Sequence, residues 1–271
     1  MIRIHNCNKN FKKIKAINNF SVNISQGVYG LLGSNGAGKT TLMRCICGLY
    51  QTDSGKIETD IENIGYLPQK FGMFRELTVR EMMEYFATLK KIDKSSQKTQ
   101  IEDSIEKVNL SDRIEDRIST LSGGMVRRVG IAQAILGNPQ VVLFDEPTAG
   151  LDPEERLRFK NVISRIKKDC TVIISTHIVS DIESTCDKVL IMDHGSLLAE
   201  GTTSQIAEIA ENKVYFVNEE NENNLSGNYY IVDKQEVNGE IMMRVLSDEK
   251  QNGELQKSTI EDGYLCCVKK I

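Results

Sequence analysis

Gly33-Ser34-Asn35-Gly36-Ala37-Gly38-Lys39-Thr40 is the stretch from which the rest of the chain can be read. A short apolar run, residues 28–32, precedes it. Residues 39–49 follow, with Leu42, Cys45, Ile46 and Leu49 at helical spacing. Strand, glycine loop and helix make the first step of a parallel α/β sheet. The glycines let successive backbone N–H groups converge on an anion, and the helix presents its positive end to the same point. The pattern G-x-x-x-x-G-K-[ST] assigns Lys39 to the β- and γ-phosphates of a nucleotide and the Thr40 hydroxyl to Mg²⁺. At ordinary glycine content a chance match arises in roughly one or two such chains per hundred. A match lying between a strand and a helix is rarer still.

About a hundred residues downstream stands Val141-Val142-Leu143-Phe144-Asp145-Glu146. An apolar strand that carries an acid to its C-terminal end delivers it where parallel sheets bind ligands. Asp145 suits Mg²⁺, directly or through water. Glu146 leaves on the other side of the strand end, where a second carboxylate can orient or deprotonate an attacking water. Alone, a strand ending in Asp-Glu is commonplace; the glycine loop upstream gives it weight.

The remaining pattern fills in the architecture. Residues 14–24 alternate loosely and end at Gln26-Gly27, as a strand would. Thr78 followed by Glu81 predicts a capping box opening a helix through Leu89. Residues 90–119 are charged and helical in rhythm, so 70–120 read as a helical subdomain. Residues 123–137 read as a helix stopped by Asn138-Pro139. Asp152 caps another helix, with Pro153 in its first turn and Glu154 and Glu155 at its positive end. Residues 171–175 and 188–193 supply further strands. A doubly wound α/β domain over 1–212 follows. Residues 213–271 read as a small β-rich appendage with strands at 213–217, 229–232, 241–246 and 264–268, and with polar residues 218–224 as a loop.

Composition narrows the function classes. Of 271 residues 40% are hydrophobic and 27% charged, which excludes disordered and fibrous chains. No uncharged apolar run approaches the length of a membrane span, and residues 1–10 lack the apolar stretch of a secretory leader. The net charge is −4. Eleven acids and seven bases from Lys213 onward account for all of it, and residues 1–212 carry 27 of each sign. That balance offers no face for a polyanion, so no nucleic-acid partner is expected. Seven cysteines, an odd number, read as free thiols in a reducing compartment.

Leu121-Ser122-Gly123-Gly124-Met125 resembles the LSGGQ signature of ATP-binding-cassette (ABC) ATPases. The order of the glycine loop, Gln69, the signature, Asp145-Glu146, Asp152 and His177 is that family's order at its usual spacing. The resemblance covers roughly residues 1–212. It implies a P-loop NTPase fold of ABC type: a mostly parallel sheet core, an antiparallel β edge and a helical subdomain. It implies a dimer in which ATP and Mg²⁺ lie between the loop of one subunit, Gly33 to Thr40 with Thr41, and Ser122, Gly123 and Gly124 of the other. Lys39, Glu146, His177 and Gln69 would be catalytic, with His177 on the γ-phosphate. Thr40, Asp145 and Gln69 would serve the metal. Asp152 would lie at the dimer seam, although a helix N-cap has an equally good structural reading. Phe11, 22 residues before Gly33, resembles the aromatic that stacks on adenine; burial in the core is the alternative. Met125 departs from the pattern, replacing the usual signature glutamine.

Two kinds of ABC protein compete on this reading. One is the ATPase subunit of a membrane transporter, cytoplasmic and held to the inner face of the membrane by a separate permease. The other is a soluble ABC ATPase of translation or DNA repair. Repair types carry long coiled coils between loop and signature, and only 83 positions separate Lys39 from Ser122. Translation types usually fuse two cassettes, and this chain holds one. A scaffold that binds ATP without turnover is disfavoured by Lys39 and Glu146. Phe71, Met73 and Phe74 suggest a groove for a permease helix, or a cap on the helical subdomain's own core. Tyr66-Leu67-Pro68-Gln69, the 77–81 stretch and the LSGGM variant resemble drug- and antibiotic-exporting cassettes, while importer cassettes share the core.

Overall fold

The computed structural model describes residues 1–59, 61 and 63–271. Ile2 and Ile4 alternate with polar residues before a shift that buries Cys7, and Phe20, Val22 and Ile24 alternate strictly. These two patterns form the long antiparallel strands β1 (Ile2–Phe11) and β2 (Ile14–Ile24). There follow β3 (Val28–Leu32), α1 (Lys39–Ile46), β4 (Ser54–Thr59) and β5 (Ile64–Leu67). Next come the helices α2 (Val79–Leu89), α3 (Lys94–Lys107) and α4 (Gly123–Ile135). After them the chain alternates through β6 (Val141–Asp145), α5 (Pro153–Ile166), β7 (Thr171–Thr176), α6 (Val179–Glu183) and β8 (Lys188–Asp193). A hairpin partner, β9 (Ser196–Gly201), leads into α7 (Thr203–Glu208).

Six strands form the central sheet in the order β5-β6-β7-β3-β8-β9, parallel except for the last pair. Its central strands β6, β7 and β3 are buried almost throughout because both faces are covered. Val142 and Phe144 of β6 enter the core shared with α2–α5, and Phe159 of α5 meets Phe144 edge-on at 5.4 Å. Val141 and Leu143 enter the opposite core, built with β1, β2 and α1. The antiparallel sheet β2-β1-β4 with α1 is therefore the second layer, and helices α2–α5 are the third. Each fully buried Leu, Ile or Phe in these layers contributes about 1.5–3 kcal/mol.

Most elements lie where the sequence puts them. The Thr78–Glu81 capping box is formed, Thr78 N–H donating to Glu81 at 2.8 Å. The helix expected over 39–49 stops at Ile46, since Cys47 closes it and Gly48 turns left-handed at φ 72°. The sequence reading did not mark β1, β4, β5, β9, α6 and α7.

Beyond Asn212 the strands β10 (Val214–Asn218), β11 (Tyr229–Val237), β12 (Glu240–Ser247) and β13 (Glu254–Leu255) form an antiparallel sheet ordered β11-β12-β10-β13. Residues 219–224, read as a loop, wind into a 3₁₀ helix. Residues 264–268, read as a strand, lie instead in the helix α8 (Ile260–Lys269). A capping box of Thr259 and Asp262 starts that helix. Buried Asp262 also takes both ends of Arg244 from β12, at 3.1 and 2.6 Å. Nucleation by this cap overrides the short apolar run that suggested a strand.

Helix α8 packs on α6, α7, β8 and β9, with Ile260 in the core of the helical layer. Gly263 is the point of closest approach: a Cβ there would stand 1.8 Å from the backbone oxygen of Ile206. Gly263→Ala gains about 1 kcal/mol of helix propensity and must push two helices apart, which costs about 1–3 kcal/mol at ordinary contacts and more against backbone. Steric cost wins, so the urea midpoint should fall by the equivalent of about 2 kcal/mol. A midpoint at or above that of the parent would refute the close approach.

Candidate active site

Leu32 pairs with Thr176 and Asp145 pairs with Ser175, so the C-terminal ends of β3, β6 and β7 lie side by side. The glycine loop, Asp145-Glu146 and His177 all leave the sheet there. Gly38 caps α1 at φ 107°, and a Cβ on it would stand 2.2 Å from the Ala16 carbonyl oxygen and 2.8 Å from the Met192 side chain. Only glycine fits. On the far side of the loop Gly195 N–H donates to Ala37 O at 2.9 Å. Ser34, Asn35 and Gly36 are exposed. The N–H groups of Asn35, Gly36, Gly38, Lys39, Thr40 and Thr41 find no acceptor among the described residues. They form a ready anion nest at a helix start.

Lys39 lies within this loop, its side chain 6% exposed. Its ammonium donates to Gly33 O at 2.6 Å and Ser34 O at 3.1 Å, and stands 3.3 Å from Glu146 Oε1. Glu146 is equally buried. Its Oε1 has no well-aligned hydrogen bond, which leaves the Lys39 charge as its compensation. The other oxygen, Oε2, is 3.0 Å from Nδ1 of His177, whose ring is 44% exposed. Glu146 adopts φ 48°, a left-handed conformation rare outside glycine and asparagine that costs about 1–3 kcal/mol. Ser175 holds its N–H through both its carbonyl, at 3.1 Å, and its hydroxyl, at 3.0 Å.

Asp145 is fully buried. Its Oδ1 accepts from Ser175 at 2.6 Å and from Thr40 at 3.1 Å, and Tyr66 OH reaches Oδ2 at 3.5 Å. Thr40 and Asp145 thus bring two hard oxygen donors to one point beside the nest. No cluster of three His, Cys, Asp or Glu suited to a metal exists among the described residues. Such a pair fits Mg²⁺ that completes its shell with phosphate oxygens and water, not an all-protein cage.

The structure separates the remaining residues from this cluster. Gln69 follows β5, is exposed, and offers its carbonyl to Arg127 at 3.0 Å. Phe11 sits at the β1–β2 turn, 39% exposed, edge-on to Tyr50 at 5.4 Å. Its burial in the core is thereby excluded. Ser122 and Gly123 are exposed at the start of α4, where Ser122 accepts from Met125 N–H at 3.2 Å. No hydrogen bond or ion pair among the described residues joins them to the glycine loop. Met125 turns its apolar side chain toward the helical core. Asp152 is exposed and caps α5, accepting from Glu155 N–H at 2.8 Å. The sequence reading gave no site role to Ser175, Tyr66 or Arg127. Ser175, two residues before His177 at a strand end, was the one with a positional signal.

All seven cysteines are free, and burial pushes the Cys47 thiol up to about 12, away from reactive thiolate chemistry. No helix among the described residues is long and apolar enough to cross a membrane.

This arrangement has known counterparts. A family profile described as ABC transporter matches residues 17–149. The bacitracin transport ATP-binding protein BcrA of Bacillus licheniformis is 32% identical over 281 aligned positions, covering 97% of this chain and 90% of BcrA. The Nod factor export ATP-binding protein I of Rhizobium sp. (strain N33) is 35% identical, covering 74% of this chain and 70% of its own. The solved cbiO1 from Clostridium perfringens, part of the ABC transporter complex cbiONQ, aligns with a TM-score of 0.70 at 25% identity. That alignment covers 76% of this chain and 89% of cbiO1. An anion nest on β3, paired acids on β6, a signature helix apart from both and relatives of this extent agree: the chain belongs to the ABC transporter ATP-binding proteins and is an ATP hydrolase of that family.

Proposed function

We propose that two copies of this chain close on two Mg·ATP, each nucleotide held between the 33–41 loop of one copy and Ser122-Gly123-Gly124 of the other. Hydrolysis reopens the pair and drives a separate membrane permease, in the direction of export. The observation that carries this is the contiguous Lys39–Glu146–His177 cluster beside a nest of unpaired N–H groups, with the signature exposed elsewhere on the same chain. Within one copy that signature has no phosphate to bind; a second copy supplies one.

In this reading the nest and Lys39 hold the phosphates, and the ammonium offsets their charge. Thr40 and Asp145 would hold Mg²⁺, with Gln69 completing its site; when bound, the ion neutralises charge on the phosphate oxygens. Glu146 accepts the proton of the attacking water. His177 fixes one carboxylate oxygen and so sets which oxygen faces the water. Phe11, partly exposed with Lys9 over its ring at 5.6 Å, would stack on the base. Asp152 is placed at the seam between copies.

A permease partner is supported by a groove of about 580 Å³ lined by Phe71, Met73, Leu121, Val126 and Leu151, and by the complex to which cbiO1 belongs. Export is supported by the likeness to the Rhizobium Nod factor export ATP-binding protein I. Attachment through the permease would place the chain on the cytoplasmic face of the membrane. Phe74, 53% exposed and edge-on to Tyr85 at 5.4 Å, flanks Met73. Phe74→Glu should keep ATP turnover within about twofold and lower permease-dependent transport by about tenfold or more, as loss of an aromatic anchor does. Membrane vesicles with the permease measure both. Unchanged transport, or equal loss of both activities, would sink the docking assignment.

A further inference from the structure

We propose that Arg127, on the signature helix α4, is a positioning residue that holds the peptide turn at Glu146 and fastens it to the Gln69 loop. The inference rests on the catalytic role given above to Glu146.

Four backbone oxygens converge on this one guanidinium. Nη2 donates to Glu146 O at 2.6 Å and Asp145 O at 3.2 Å, Nε donates to Pro147 O at 3.1 Å, and Nη1 donates to Gln69 O at 3.0 Å. The Phe71 ring lies 5.4 Å away, across the groove face. Arg127 forms no ion pair among the described residues, although two of the carbonyls it binds belong to the acids Asp145 and Glu146. Burial works against its charge, and those two carboxylates act in its favour from a distance. A half-buried cation spending every bond on carbonyls is a poor device for general stability, because its desolvation is not repaid by a carboxylate. It is a good device for fixing peptide planes, since a planar fork of five donors dictates where its acceptors lie.

The planes so fixed are the ones that matter. Glu146 holds a left-handed φ that persists only when its surroundings over-determine it. Ser175 secures the N–H before that turn, and Arg127 secures the carbonyls on both sides of it. Without the fork the turn can relax and swing the carboxylate away from Lys39 and His177. Small displacements of a catalytic group cost about a hundredfold in rate. Because the same fork grips Gln69 O and faces Phe71, movement of the signature helix or of the groove reaches Glu146 through one side chain.

The test compares the full-length parent, Arg127→Lys and Arg127→Gln by steady-state ATP turnover, by calorimetric titration with ATP under EDTA, and by thermal melting. Arg127→Gln should lose about 10- to 100-fold in kcat with ATP affinity changed by less than about threefold. Arg127→Lys keeps the charge but cannot span four acceptors, so its kcat should fall between the two. Full kcat in Arg127→Gln overturns the positioning role. So does a lysine variant that folds as the parent does and turns over no faster than the glutamine variant. Equal losses of kcat and affinity with a collapsed melting temperature in both variants would show a merely structural residue. A parent that binds ATP and never hydrolyses it would overturn the catalytic reading itself, a result distinct from all of these.

Discussion

Glu146→Gln should bind ATP, hydrolyse it about 10²- to 10⁴-fold more slowly, and accumulate as a nucleotide-locked dimer. The factor is what a positioned general base contributes. Gln keeps the volume of Glu, so the turn held by Ser175 and Arg127 has no reason to move. An amide cannot accept the water's proton. It also releases Lys39 from the carboxylate 3.3 Å away, so affinity for the triphosphate should hold or rise. Turnover measured beside light scattering at saturating ATP checks both halves. Normal hydrolysis removes the base role from Glu146. Protomers that stay single throughout remove the shared-nucleotide dimer.

Lys39→Ala is the second large effect, and it acts on two properties at once. Truncating one partner of a desolvated charge pair with phosphate costs about 2–5 kcal/mol of binding, roughly 30- to several-thousand-fold in Kd. Before any nucleotide is added, the same change leaves Glu146, 6% exposed, without its nearest cation. An uncompensated buried charge destabilises by about 3–5 kcal/mol. The variant should therefore melt several degrees lower than the parent. Adding Glu146→Gln to Lys39→Ala should return much of that stability and none of the affinity. Full additivity of the two changes in melting would mean the ion pair is not coupled; unchanged ATP affinity in Lys39→Ala would withdraw the lysine from the phosphates.

How far the sequence could be read depends on whether a signal is local. Residues 28–40 and 141–146 announce themselves because strand, loop and acid must be contiguous to do their chemistry. The Thr78–Glu81 box and the Asp152 cap were legible for the same reason: donor and acceptor lie three residues apart. β1 was missed although Ile2, Ile4 and Cys7 are buried, since register shifts after Ile4 break the strict alternation that a period-two search detects. The 264–268 run failed because five apolar or half-apolar residues fit either period, and the deciding residue, Asp262, lies outside the run. At the site, Arg127 was invisible for a different reason. Its acceptors are main-chain oxygens spread over 58 to 18 positions of separation, and carbonyls leave no trace in a sequence.

Gly38 is walled in by the Ala16 carbonyl and the Met192 side chain, which come from β2 and β8 and not from the loop itself. The glycine spelling of the loop therefore answers to two masters, the ligand in front and the scaffold behind. An alanine at 38 would be rejected by the apoprotein before any phosphate arrived, and weakened binding in such a variant would report a misshapen cradle, not a lost contact.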